Sequence, residues 1–424
     1  MKKTIEYIRR IILSQLTKDT SIVLLGNLFS SVLAVVFTIL AARTLGPEGW
    51  GIVAAVGSLI TILVAFSDLG IGAGLFRFLS AKWSRGEKRE ASRIIQVAFS
   101  IRVISALVFV GILILFSGPI SQLILHSADP RLSMFTALGM LGSLLIDFHI
   151  TLVEAKREWK RAAFFIATTN SLRVSFLLFA TLSDRVNFGS VLLIFTSSPV
   201  IASFIAFLIE RTGFELAKDW NKIFKEIGVF SGIMGVNKIV SSINSRVDVL
   251  LIVNLLGAYE AGIYAAANRL AIGVPIILGS FATVLAPRFS AFSEKSESLK
   301  FFKRAMSLAA FICLGLIVGI IIAPFVTSLF GPEFERSGIV LQFLLSSFIP
   351  AVFAVPAVNL VIYGVKKPQI ITLLSIFQFP VILFINFYFM PGIGVFAPVL
   401  ALAVVNTMTM IVTFFAAWRH YHKK

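Results

Sequence analysis

The chain has 424 residues, of which 58% are apolar and 14% charged, against about 45–50% and about 25% in an ordinary soluble domain. Spread over many long runs, that excess excludes a water-soluble globule and makes a polytopic membrane protein whose spans each need about 20 apolar residues. The single cysteine, Cys313, excludes a disulfide scaffold or a cysteine-held metal cluster, and the net charge of +17 reflects Lys and Arg gathered in cytoplasmic loops, so no nucleic-acid partner is expected.

Residues 1–19 carry Lys2, Lys3, Arg9 and Arg10 with Ile5, Ile8, Ile12 and Leu16 at helical spacing, the pattern of an amphipathic helix lying on the bilayer surface. No apolar stretch followed by a small-residue cleavage site precedes the spans, so no signal peptide is read. Twelve candidate helices follow, at 21–42, 51–76, 94–116, 132–153, 162–182, 188–209, 229–256, 262–286, 305–330, 338–363, 370–390 and 393–417. They group into an N-terminal six-helix lobe (20–210), a cytoplasmic linker with an amphipathic segment (211–228), a C-terminal six-helix lobe (229–418) and a basic tail (419–424). The expected fold is all-α. With both termini inside, the inner segments hold 28 Lys and Arg and the outer loops four, namely Arg43, Arg131, Arg185 and Arg336. That asymmetry sets the expected orientation, with both termini in the cytoplasm and the chain in the cell (plasma or inner) membrane.

Sliding the sequence against itself by 211 positions aligns the halves from about residue 19 to 103. Leu45, Gly46, Gly51, Ile52, Ala54 and Ala55 recur as Leu256, Gly257, Gly262, Ile263, Ala265 and Ala266, and Arg77-Phe78 recurs as Arg288-Phe289. Because the offset spans six helices, an even number, both halves share one membrane orientation. Paired lobes of this kind place a substrate cavity at their interface, which is a transporter layout.

Arg43-Thr-Leu-Gly-Pro-Glu-Gly-Trp-Gly51, Asp68-Leu-Gly-Ile-Gly72, Leu256-Gly-Ala-Tyr-Glu-Ala-Gly-Ile-Tyr264 and Phe330-Gly-Pro-Glu-Phe334 together form a recognisable set. The chain resembles the polysaccharide biosynthesis (lipid-linked oligosaccharide flippase) family of the multidrug/oligosaccharidyl-lipid/polysaccharide exporter superfamily. The resemblance implies alternating-access transport of polyprenyl-diphosphate-linked sugar units from the inner to the outer leaflet, with the lipid bilayer and glycan-assembly enzymes as partners. It supplies few functional positions, because nearly all these residues turn or pack the chain. Gly-Pro at 46–47 and 331–332, for instance, ends a helix at the outer surface.

Ionisable groups inside a bilayer cost about 2.5–3.5 kcal/mol at a helix centre by insertion scales, so each needs a reason. On the seventh span Asn237, Lys238, Ser241, Ser242, Asn244, Ser245, Arg246 and Asp248 fall in one broad sector, opposite Ile239, Val240, Ile243, Val247, Leu250 and Leu251. Arg246, Arg269 and Arg173, with Asn244 and Asn268, are the candidate ligands of an anionic diphosphate head, whose oxygens suit the guanidinium fork. The same arginines also read as interhelical salt-bridge partners, Arg246 or Arg269 with Asp248 and Arg173 with Asp147, and for Arg246 and Arg269 the two readings weigh equally. For Arg102 and Lys238 the salt-bridge reading is favoured, and Arg77 is expected to snorkel to the headgroups. Asp68, Asp147 and Asp248 are the candidate carriers of a coupling ion, and none stands out.

No His-Glu-x-x-His, Gly-x-Ser-x-Gly or phosphate-loop pattern occurs, so neither a cofactor nor ATP hydrolysis within this chain is expected. A small-molecule or multidrug exporter of the same superfamily is the alternative within transport. The six basic groups in or near the spans, against three aspartates, favour an anionic cargo. A membrane glycosyltransferase or polymerase is the alternative among enzymes. It is disfavoured, since the longest outer loop, 117–131, offers His126 and Asp129 but no room for a domain.

Overall fold

The computed structural model describes residues 15–210, 220–292 and 294–422. Most of the expected interfacial helix over 1–19 and the first half of the 211–228 linker lie outside these residues. Every described element is helical, and among the described residues eleven helices are long and apolar enough to cross a membrane. The sequence reading separates twelve. The difference arises in α1 (Gln15–Asp68), which runs through the first two expected spans and is interrupted at one non-helical residue, Gly46, with φ 66° and ψ 178°. Proline follows at 47, so the chain changes direction at the Gly-Pro step where a helix end is expected.

The second expected span, 51–76, is itself broken. α1 stops at Asp68, Leu69 and Gly70 take left-handed backbone angles (φ 50° and 75°), and α2 (Ile71–Ser84) starts after them. Two successive left-handed residues cannot continue a right-handed helix. Beyond it come α3 (Lys88–Leu115), α4 (Ser117–Ile124), α5 (Arg131–Ala155), α6 (Trp159–Leu182), α7 (Phe188–Ile209), α8 (Trp220–Leu256), α9 (Ala258–Ala271), α10 (Gly273–Ala291) and α11 (Lys295–Thr327). Two short 3₁₀ turns flanking Gly331 lead into α12 (Glu335–Ser347) and α13 (Ile349–Asn359). A π-helical turn at Leu360–Gly364 precedes α14 (Pro368–Ile393) and α15 (Phe396–His422).

The chain divides into two compact units. One holds residues up to Leu45 and Val53–Leu250, the other Gly46–Ile52 and Leu251–Lys424. In the first unit α5 is the most enclosed span. Ile71, Leu75 and Leu79 of α2, spaced four residues apart on one helical stripe, pack with Ile94, Ile95 and Ala98 of α3, Phe148 and Leu152 of α5 and Ile227 of α8. Lipid offers helices no hydrophobic reason to associate, so close backbone approach must supply the contact. A Cβ on Gly70 would lie 2.1 Å from the Ser231 carbonyl oxygen, and one on Gly235 would lie 2.7 Å from the Leu69 carbonyl. These glycines seat the α1–α2 break directly against α8.

In the second unit Gly257 has φ 94° and ψ 172°, the same backbone shape as Gly46, its counterpart 211 positions earlier. Gly51 and Gly262, another such pair, face each other. A Cβ on Gly262 would lie 1.8 Å from the Pro47 carbonyl oxygen, and one on Gly51 would lie 1.9 Å from that of Ala258. Large side chains such as Leu115, Leu182 and Phe325 stand exposed, as they must where the surrounding solvent is hydrocarbon.

Candidate functional site

The α1–α2 break creates the site. Because α1 ends at Asp68, this carboxylate is held at the N-terminus of α2, where its Oδ1 accepts the Gly72 N–H at 3.2 Å. Free N–H groups and the positive end of the helix dipole both favour an anion there. Asp68 is fully buried, and its position demands cations.

Two arrive from distant parts of the sequence. Arg102 of α3, also buried, donates through Nη2 to Asp68 Oδ1 and to Asp147 Oδ2 of α5 at 3.3 Å, with Nη1 3.4 Å from the Leu144 carbonyl oxygen. Its guanidinium lies 5.7 Å from the Phe148 ring centroid, a cation–π distance. Lys238 of α8 donates through Nζ to Asp68 Oδ2 at 3.0 Å and stands 3.7 Å from Asp147 Oδ2. Two cations and two carboxylates thus form a neutral quartet across four helices. Gly72 makes room for it, since a Cβ there would lie 2.5 Å from Arg102 Nη2.

The outer members of the quartet face a cavity of about 630 Å³. One wall is the α5 stripe Asp147, Thr151 and Glu154, spaced at i, i+4 and i+7. A second is Phe230, Asn237, Lys238 and Ser241 of α8, and the third is Ala73, Phe76 and Arg77 of α2. The Arg77 guanidinium stacks 4.4 Å from the Phe230 ring centroid. Asp147 keeps 41% of its side chain exposed, whereas Asp68 keeps 1%, so only the first of the two aspartates is open to a ligand.

Of the residues expected to form the site, the structure joins Asp68 and Asp147 with Arg102 and Lys238, as the salt-bridge reading of that pair of cations requires. Asp147 is therefore occupied by partners other than the Arg173 considered for it. Arg173 instead donates to the Phe195 carbonyl oxygen from Nε and Nη2 at 3.2 and 3.0 Å, and to Asn170 Oδ1 at 3.3 Å. Its guanidinium rests 4.1 Å from the Phe195 ring centroid. Asp248 accepts the neighbouring Val249 N–H at 2.8 Å. Asn244 is exposed, Arg246, Asn268 and Arg269 are half-buried, and Arg269 lies in the last turn of α9.

Glu154 was missed. It reads in the sequence as the edge of a basic loop, yet α5 carries it into the cavity wall, and the helical spacing from Asp147 through Thr151 was the available signal. The basic excess counted in the sequence also shrinks, because Arg102 and Lys238 are matched by Asp68 and Asp147 and a fourth carboxylate joins the acidic side. Among the described residues no group of three His, Cys, Asp or Glu could hold a metal ion.

With this geometry in view, the chain can be set beside known proteins. The sequence profile of the family described as "Polysaccharide biosynthesis protein" matches residues 16–293. A Shigella flexneri protein named "Putative O-antigen transporter" is 24% identical over 320 residues, covering 72% of this chain and 75% of that one. Among solved structures, the lipid II flippase MurJ in an inward closed conformation superposes with a TM-score of 0.73 at 13% identity, covering 93% of this chain and 87% of that chain. An inward-facing multidrug resistance MATE family transporter of the MOP superfamily gives a TM-score of 0.72 at 14% identity, covering 92% and 94%. At such identities the two structural likenesses speak to the fold alone.

Proposed function

The chain belongs to the polysaccharide biosynthesis protein family, and on that premise we propose that it is a flippase for polyprenyl-diphosphate-linked oligosaccharide or polysaccharide repeat units. It carries them from the inner to the outer leaflet of the cell (plasma or inner) membrane by alternating access, with both termini cytoplasmic. The supporting observation is the neutral ionic quartet on the wall of a polar cavity inside an otherwise apolar bundle. Ionisable groups at membrane depth are expensive and mark pathways for polar cargo, and a glycan is the polar cargo that this family's name supplies.

In this reading Arg246 and Arg269, with Arg173, Asn244 and Asn268, hold the diphosphate. Asp147, Asp68 and Asp248 serve ion coupling, and Asp147 is the more open member of the buried pair. Enzymes that assemble the glycan feed it substrate. Loss of the chain from its host is expected to leave lipid-linked glycan on the cytoplasmic leaflet and deplete surface glycan; unchanged surface glycan would sink the proposal. At Arg246, Lys keeps the charge and loses the fork, whereas Ala loses both, so Lys is expected to impair transport and Ala to impair it more, at unchanged protein level in the membrane. If Arg246→Ala instead vanishes from the membrane and joint neutral replacement of Arg246 and Asp248 restores it, Arg246 is an ion-pair partner and not a ligand.

A further inference from the structure

Resting on the flippase reading, we propose that the cavity walled by α2, α5 and α8 receives the sugar portion of the cargo rather than its diphosphate. The charge inventory decides first. Arg77, Lys238 and Arg102 are balanced at the cavity by Asp68, Asp147 and Glu154. A diphosphate drawn to Lys238 would have to displace Asp68, bonded at 3.0 Å, and anywhere in the cavity it would meet the negative charge of Asp147 and Glu154 at short range. A polyol carries no such penalty. Its hydroxyls donate to carboxylates, and hydrogen bonds to an ionised acceptor are stronger than neutral ones.

The arrangement of acceptors fits that ligand. Asp147, Thr151 and Glu154 run along one face of α5 over about 10 Å at 1.5 Å rise per residue. Glu154 is half-buried, and among the described residues its carboxylate has no ion-pair partner. Asn237 and Ser241 offer an amide and a hydroxyl from α8 across the cavity. Phe76, 43% exposed, and Phe230 provide apolar faces for the C–H side of a sugar ring, completing the usual mixture of aromatic lining and a few convergent polar groups. A cavity of about 630 Å³ is mid-range for a small-molecule site and far larger than a diphosphate alone requires. Its walls end in the basic segments 82–93 and 154–161, which the proposed orientation places in the cytoplasm, where the glycan is presented.

The test uses thiol labelling of full-length protein in membrane vesicles. Ala73→Cys places a thiol on an exposed cavity position, and the native Cys313 is buried. Three probes are added before a maleimide: lipid-linked glycan extracted from the host, the glycan released from it by mild acid, and inorganic pyrophosphate. The released glycan and the intact lipid-linked fraction are expected to slow labelling, and pyrophosphate to leave it unchanged. Adding Glu154→Gln should raise the glycan concentration needed for half-protection at least about tenfold, the loss of one charge-assisted hydrogen bond. An unchanged labelling rate without probe shows that the cavity is intact in that variant.

Protection by pyrophosphate but not by glycan overturns the inference, as does a half-protection concentration that Glu154→Gln leaves in place. If the lipid-linked fraction protects while released glycan does not, the sugar assignment fails and the flippase reading stands. If neither glycan probe protects, the inference fails too, and the leaflet distribution of the glycan judges the flippase reading separately.

Discussion

Replacing Asp68 by Asn removes one charge from a quartet that is otherwise neutral. The amide keeps an oxygen for the Gly72 N–H, now 3.2 Å from Oδ1, so the contact with the start of α2 survives and charge is the main loss. Arg102, 1% exposed, then retains Asp147 at 3.3 Å and the Leu144 carbonyl at 3.4 Å. Stranding one member of a buried pair costs about 3–5 kcal/mol, and the surviving Asp147 contact places Asp68→Asn near about 3 kcal/mol. Arg102→Met should cost a similar amount, because it leaves Asp68 with Lys238 alone. The double replacement leaves Lys238 facing Asp147 and no buried charge, and an apolar substitute for a buried ion pair is often close to neutral. The double variant is therefore expected within about 1 kcal/mol of the parent, a coupling of several kcal/mol. Unfolding of the purified protein in mixed micelles by SDS titration, followed by tryptophan fluorescence, measures all four corners of the cycle. If the two single effects add within about 0.5 kcal/mol, the residues do not share one network and the quartet is wrong.

Gly72→Ala should lower stability by about 1–3 kcal/mol, because the new Cβ arrives 2.5 Å from Arg102 Nη2, whereas Gly111→Ala on α3 meets nothing within 4 Å and should cost nothing in the same titration, or stabilise by up to about 1 kcal/mol. Gly262→Ala, with its Cβ 1.8 Å from the Pro47 carbonyl oxygen, should abolish accumulation in the membrane, and Gly279→Ala, in open space, should not; equal levels on a membrane immunoblot would refute the close crossing. Thiols introduced at Ser127 and Ser183 are expected to react with an impermeant reagent on intact cells and one at Ser296 is not, and reversal at any position would overturn the proposed orientation.

Several features follow from sequence because they depend on local energy alone. An unsatisfied backbone group costs too much in hydrocarbon, so long apolar runs must become helices. The expected spans at 188–209 and 162–182 accordingly differ little from α7 (Phe188–Ile209) and α6 (Trp159–Leu182). The Gly46-Pro47 turn is likewise legible, since proline cannot continue the preceding hydrogen bonding. The break at Leu69–Gly70 is less so. A leucine in the left-handed region is stabilised only by what surrounds it, here the contact of Gly70 and Gly235 with opposite backbones.

Charge pairing belongs wholly to the tertiary structure. Polar residues on the seventh span announce that it has a wet or buried side, but not which of them meets which partner. Asp68 is 34 residues from Arg102 and 170 from Lys238, and nothing in local propensity links positions so far apart. Their meeting is decided by where α1 breaks, by glycines that bring α8 against the break, and by a helix N-terminus that fixes one carboxylate. Once Asp68 is fixed there, Coulomb energy in a low-dielectric interior selects Arg102 and Lys238 as its partners. Arg173, which the sequence reading could pair with Asp147, instead rests on the Phe195 ring and carbonyl because that is what its helix faces.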